Sequence, residues 1–241
     1  MQVVSHTYHD GADRLIGQLI KPDASAQSTL VLFSAFEGLS QFSVDYAKRL
    51  AQRGYQVFCA DMYGEGRTAD TIPGCYDLIG PFLADRALVR RRAALALAAA
   101  REVAPAKQYG SVGFCFGGMC GLELVRGGAD VAATVAMHAV LAKSDLPTQS
   151  ITGKVCILHG YQDRQVPPES LTDFVQEMQA ADCNDWVFTF FGDGKHSFTD
   201  PATGSFDAEA EAKMGREYNA RIATLAFAQA VDFFCLSFGA R

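Results

Sequence analysis

The chain has no cysteine pair in Cys-x-x-Cys spacing, no excess of basic residues and no uninterrupted apolar run of membrane-spanning length. Its seven cysteines are odd in number and scattered, so neither a disulfide framework nor a zinc ribbon is implied. No His, Cys and carboxylate group has metal-ligand spacing, and neither a metal nor a cofactor is expected. Lys and Arg number 21 against 27 Asp and Glu, for a net charge of −6 and a pI near 5.3, which argues against a nucleic-acid partner. Met1-Gln-Val-Val-Ser-His6 has neither the basic start nor the apolar stretch of a secretory signal. The most apolar helical stretch, Ile222 to Phe238, is interrupted by Gln229 and Asp232. It is expected to be too short and too polar to span a membrane and to pack as a C-terminal helix. Together these absences predict a cytoplasmic protein, in a reducing setting where thiols survive.

What is present is enough for one large core. Of 241 residues, 49% are hydrophobic and 20% charged, and neither an internal repeat nor a low-complexity linker divides them. A single α/β domain over residues 1–241 is the simplest reading. Val3–Tyr8 and Leu15–Ile20 read as an antiparallel pair turned at Asp10-Gly11. Strands are then expected at Thr29–Phe33, Tyr55–Ala60, Tyr109–Phe114, Ala132–His138, within Lys154–Asp163, where an apolar run ends in a polar turn, and at Trp186–Phe191. Between them, helices are expected at Ser40–Arg53, with Ser40 as N-cap and Gly54 as its stop, at Ala84–Val103, at Gly117–Arg126 and at Pro168–Ala181. A final helix begins near Ala208. The turn-rich stretch from Gly64 to Pro81 reads as a loop or short helix over the sheet.

The sharpest motif is Gly113-Phe-Cys115-Phe-Gly-Gly118, a glycine-framed cysteine between a strand and a helix. A nucleophile on such a turn needs small neighbours, because the two chain segments nearly touch. Asp163 lies in the polar turn that ends the strand begun at Lys154, and His196 follows the strand ending at Phe191. The order nucleophile, acid, histidine, with each residue just past a strand, is that of the α/β-hydrolases. Residues at the carboxyl ends of the strands of an open α/β sheet converge there despite their distance in sequence.

Four segments, Gly-Phe-Cys115-Phe-Gly-Gly, Asp61-Met-Tyr-Gly-Glu-Gly66, His159-Gly-Tyr-Gln-Asp163 and Gly-Lys-His196-Ser-Phe198, together with Ala47–Tyr55, resemble the dienelactone hydrolase family over almost the whole chain. The resemblance implies a mostly parallel eight-stranded sheet with helices on both faces, and a triad of Cys115, His196 and Asp163. Cys115, at a helix N-terminus, is expected to attack an ester carbonyl as thiolate and form a thioester. His196 would act as base and acid, held by Asp163. The backbone amides of Phe116 and of Phe36, in the loop after the Thr29–Phe33 strand, are the expected oxyanion donors.

The departures from the family bear on substrate. Dienelactone hydrolases proper carry a glutamate after the third strand to accept the thiol proton, and arginines for the substrate carboxylate. Ala35 stands at the glutamate position, with Glu37 two residues on as the candidate acceptor. Asp200 stands four residues after His196 where an arginine is expected, and no Lys or Arg lies between Arg67 and Arg86. A buried carboxylate without a cation is costly, so an uncharged ester or lactone is the expected substrate, in a pocket lined by Phe36, His138 and Phe198. A phosphotriester is a further candidate substrate, since a thiophosphoryl enzyme is more labile than a phosphoserine. The alternatives are a genuine dienelactone hydrolase and a non-catalytic scaffold used for binding. A redox role for Cys115 is weaker, because Cys120 on the same helix is poorly placed to resolve it. No membrane partner is expected, and the assembly is read as monomer or homodimer.

The remaining polar residues have bland readings. His159 is expected to bond its ring to backbone, Asp61 to tie down its own turn, and Arg90-Arg91-Arg92 to form a solvated helix face. His6 and His9 are read as surface residues. Cys59, Cys156 and Cys235 are read as core fillers.

Overall fold

The computed structural model describes residues 1–166 and 169–239. In chain order the elements are β1 (Gln2–Asp10), β2 (Asp13–Lys21), β3 (Ser28–Phe33), α1 (Gln41–Ala51), β4 (Gln56–Cys59), α2 (Ile72–Ala84), α3 (Arg86–Val103), β5 (Gln108–Phe114), α4 (Phe116–Arg126), β6 (Ala133–Met137), β7 (Lys154–Gly160), α5 (Glu169–Ala180), β8 (Trp186–Phe191), α6 (Ala208–Lys213) and α7 (Ala220–Ser237). The strands form one sheet in the order β1-β2-β4-β3-β5-β6-β7-β8. β1 and β4 are both antiparallel to β2, and every other pair is parallel, so β2 alone runs against the rest.

The central strands read as continuous apolar runs because both of their faces are covered. All six residues of β3 and all five of β6 are buried. On one face α3 packs against α4, and α4 is tied to α5 through Arg126 and Glu177. On the other face lie α1 and α7, joined where the Tyr46 and Phe227 rings meet edge to face at 5.3 Å. α1 buries Ser43, Tyr46, Ala47, Leu50 and Ala51, the spacing of one helical face. Ser40 stands at its N-cap without a capping hydrogen bond, and Gly54 ends the turn beyond it at φ +91°.

Five differences from the sequence reading have physical causes. The turn-rich stretch holds a full helix, α2, started by the Thr71 hydroxyl accepting from Gly74 N–H (3.2 Å) and by Pro73 in its first turn. The expected final helix is two, because Gly215 at φ +74° breaks the run between α6 and α7. Arg92 is not on a solvated face. It is buried, donating to the Met62 carbonyl at 2.8 Å and pairing with Asp10 and Asp13 on the β1–β2 hairpin. α7 is long enough at 18 residues to cross a bilayer. What sets it on the sheet is its buried face of Ile222, Ala226, Phe227, Ala230 and Phe234. Of the three cysteines read as core, Cys59 and Cys156 are fully buried and Cys235 only partly. Pro168, expected to begin the helix now seen as α5, lies outside the described residues.

Candidate active site

Cys115 stands between β5 and α4 at φ 51° and ψ −114°, a conformation that strains any residue with a Cβ. The turn persists because its neighbours are glycine. A Cβ on Gly113 would lie 2.0 Å from the Gly117 carbonyl oxygen, and one on Gly117 would lie 2.1 Å from that of Phe33. The end of β3 therefore presses directly on the first turn of α4. The Cys115 amide donates to the Met137 carbonyl at 3.0 Å, which locks the turn to β6. At the start of α4 the Phe116 amide has no acceptor within the helix. The Phe36 amide likewise has no partner among the described residues, since its turn is closed by Gly38 N–H on the Ala35 carbonyl.

His196 and Asp163 meet at this rim. His196 Nδ1 and Asp163 Oδ2 are 2.7 Å apart, and both side chains are fully buried. Asp163 Oδ1 accepts from the Gln165 amide at 2.8 Å, so the carboxylate is fixed at both oxygens. His196 is itself held by main chain: its N–H donates to the Gly215 carbonyl, and its carbonyl accepts from Glu217. Burial pushes the imidazole pKa down, but the adjacent Cys115 sulfur and the Asp163 carboxylate outweigh it and push it up to about 9. The geometry thus brings together the three residues singled out from the sequence.

Of the expected pocket residues, Phe36 is buried with its ring edge-on to Tyr76 and beside Phe206. His138 and Phe198 are sealed in the core, ring to ring at 5.1 Å, and line neither of the two large cavities flanking the site. His138 Nε2 bonds Thr199 Oγ1 at 2.7 Å, and its ring stands edge-on to His196 at 5.2 Å. Burial holds the His138 pKa well below the usual value, so the ring is neutral. His159 makes no ring hydrogen bond to any described residue, contrary to the expected backbone bond. It lines an aromatic cavity of about 340 Å³ with Tyr161, Asp163, Phe188 and Phe190. Asp61 does tie its turn, accepting from the amides of Tyr63, Gly64, Gly66 and Ile16 at 2.8 to 2.9 Å.

Glu37, the candidate proton acceptor, is buried beside Ser40. It makes no hydrogen bond to Cys115; its carboxylate accepts from the Ser40 hydroxyl at 3.3 Å and lines a cavity of about 310 Å³. Burial and the nearby Asp200 push its pKa up to about 7 against the pull of Arg216 and Ser40. Arg216 is the residue that sequence reading missed. It lies in the same cavity, its Nε on Glu211 Oε2 at 3.0 Å and its guanidinium 4.4 Å over the Phe36 ring. The pocket therefore holds a cation after all, supplied 20 residues beyond His196. Its main chain pairs with that histidine as an isolated bridge. The signal available in the sequence was Gly215, which breaks the helix just before it.

A mostly parallel eight-stranded sheet with a strained residue at the β5–α4 turn, and with Asp and His beyond β7 and β8, defines the α/β-hydrolase fold. The chain belongs to the dienelactone hydrolase family, whose sequence model matches residues 15–236. That membership makes it a hydrolase of small molecules. A dienelactone hydrolase-like promiscuous phosphotriesterase from metagenomic libraries is 29% identical, with a TM-score of 0.88 and 97% of each chain covered. An uncharacterized Caenorhabditis elegans protein is 31% identical over 115 residues, covering 44% of this chain and 72% of its own. A cold-adapted esterase from an Arctic intertidal metagenomic library shares the fold at 16% identity and a TM-score of 0.64, over 90% of this chain and 94% of its own.

Proposed function

We propose that the protein hydrolyses uncharged esters or lactones through a thioester on Cys115. The observation that carries this reading is the strained, glycine-framed Cys115 beside an imidazole that is itself anchored to Asp163. The sulfur attacks the carbonyl carbon, and the oxyanion is received by the amides of Phe116 and Phe36. As the C–O bond breaks, the alkoxide takes a proton from His196 Nε2. Water, giving its proton to the same nitrogen, then cleaves the thioester and releases the acid. An imidazole held protonated near neutral pH suits the first half of this cycle, in which a proton must be given to the leaving group. Cys59, Cys75, Cys115, Cys120, Cys156 and Cys183 form no disulfide among the described residues, which fits a reducing compartment.

The test is a series of p-nitrophenyl esters of increasing acyl length with wild type, Cys115→Ser and Cys115→Ala. Iodoacetamide labelling at neutral pH accompanies it. Turnover that survives in Cys115→Ala, or a thiol that resists alkylation, overturns the reading and favours a binding scaffold.

A second substrate class is supported by the phosphotriesterase relative. The Cys115 sulfur would attack phosphorus, expel an aryloxide that takes the His196 proton, and be freed when water cleaves the P–S bond. Continuous release of p-nitrophenol from a dialkyl p-nitrophenyl phosphate is expected. A single stoichiometric burst followed by silence counts against it.

A further inference from the structure

Arg216 is more than nine-tenths buried, yet only its Nε is engaged; the two terminal nitrogens make no hydrogen bond to any described residue. A buried guanidinium with an unused donor edge on a cavity is a site made for an oxygen. Glu37 lines the same cavity, with Asp200, Glu211, Phe42 and Phe206. We propose that this cavity is a substrate subsite in which Arg216 holds an oxygen remote from the reacting carbonyl, while the charge on Glu37 decides whether that oxygen may belong to an anion. The inference rests on the ester-hydrolase reading above.

The charges leave little room for a carboxylate at high pH. Arg216 is offset by Glu211 at 3.0 Å, and Asp200 adds a second carboxyl whose pKa burial pushes up. The other titratable groups facing Glu37 are Tyr63 and, from α2, Cys75, both held neutral by burial. Ser40 is its one hydrogen-bonding side chain. Below neutrality Glu37 carries its proton, and the cavity holds one anion fewer beside the open donor edge of Arg216. Above it, a substrate carboxylate meets a third anion, whereas an amide or ester oxygen does not. Glu37 thus acts on selectivity instead of on the thiol proton.

The experiment compares two esters with one leaving group: the p-nitrophenyl monoester of glutaric acid, an anion, and the p-nitrophenyl ester of glutaramic acid, its neutral counterpart. Taking the ratio of their kcat/KM values cancels the pH dependence of the chemical step, which both substrates share. Between pH 5.5 and 8.5 the anion-to-neutral ratio should fall about tenfold, with its midpoint near 7. Glu37→Gln should hold it flat at its acid value. Asp200→Asn should move the midpoint to lower pH, and Arg216→Gln should depress the ratio at every pH, with partial rescue by Arg216→Lys. A pH-independent ratio in wild type, or the same pH dependence in Glu37→Gln, overturns the proposal. If neither ester is turned over, the hydrolase reading has failed. The subsite is then read by calorimetry with butyrate and butyramide on carboxymethylated protein. Preference for butyrate that declines with pH in wild type but not in Glu37→Gln sustains it, and equal binding at all pH removes it.

Discussion

His196 Nδ1 and Asp163 Oδ2 stand 2.7 Å apart with neither side chain reaching solvent. The carboxylate fixes which nitrogen carries the proton and leaves Nε2 free on the other side. Asp163→Asn keeps the shape but offers the ring a donor, which favours the wrong tautomer. A fall in kcat/KM of roughly 10³ to 10⁴ on an uncharged aryl ester is expected, with an unchanged circular dichroism spectrum.

His196 also links stability to pH. Its pKa is raised above the unfolded value near 6.5, so the stabilisation is complete below 6.5 and disappears as pH rises through about 9. The melting-temperature gap between wild type and His196→Asn should therefore narrow steadily across that window. A gap that widens with pH contradicts the assignment.

Glu37 shifts stability in the same direction, at lower pH. A carboxyl raised from 4.5 to about 7 makes the folded state progressively less stable as pH climbs between those values, and costs no more beyond them. Glu37→Gln should be more stable than wild type at pH 8 by up to about 3 kcal/mol, with no gain at pH 4.5. Urea denaturation at the two pH values measures it.

The glycines of the cysteine turn should be unforgiving. Gly117→Ala forces a methyl to 2.1 Å from the Phe33 carbonyl oxygen, and loss of the folded state or of more than about 3 kcal/mol is expected. Gly80→Ala in α2, where a Cβ meets nothing within 4 Å, is the control. It should be neutral or gain about 0.5 to 1 kcal/mol in thermal or chemical unfolding.

A buried ion-pair group ties α4 to α5: Arg126 bonds Glu123 at 3.0 Å and Glu177 at 2.8 Å, and none of the three is exposed beyond 3%. Arg126→Met leaves Glu177 in the core with only the Thr148 hydroxyl, while Glu123 keeps Arg90 at 2.9 Å. A loss of about 3 to 5 kcal/mol is expected in denaturant melts, partly recovered when Glu177→Leu is added.

Much of this site was legible in the sequence because its requirements are local. Only glycine fits where strand and helix touch at Gly113 and Gly117, and Asp61 advertises its turn by the amides packed around it. The placement of Asp163 and His196 just past strands was legible for the same reason. What escaped depends on contacts between distant segments. Arg216 reads as an ordinary residue after a short helix, and only its main-chain pairing with His196 carries it to the cavity. Arg92 looks like one of three solvated arginines until the β1–β2 hairpin folds over it. His159 sits at a strand end like a structural histidine, yet its partners are the Phe188 and Phe190 rings at 5.9 Å. Six residues divide α6 from α7, among them Gly215 at φ +74° and Asn219, which caps α7.

The bridge between His196 and Arg216 is made by main chain alone, so it does not depend on which side chain occupies position 216. His196 keeps this main-chain anchor whatever side chain that position carries. In the proposed reaction, charge preference and bond-breaking chemistry are thereby separable. A library varied at 200, 211 and 216 would test this on new substrates while leaving the His196–Asp163 pair in place.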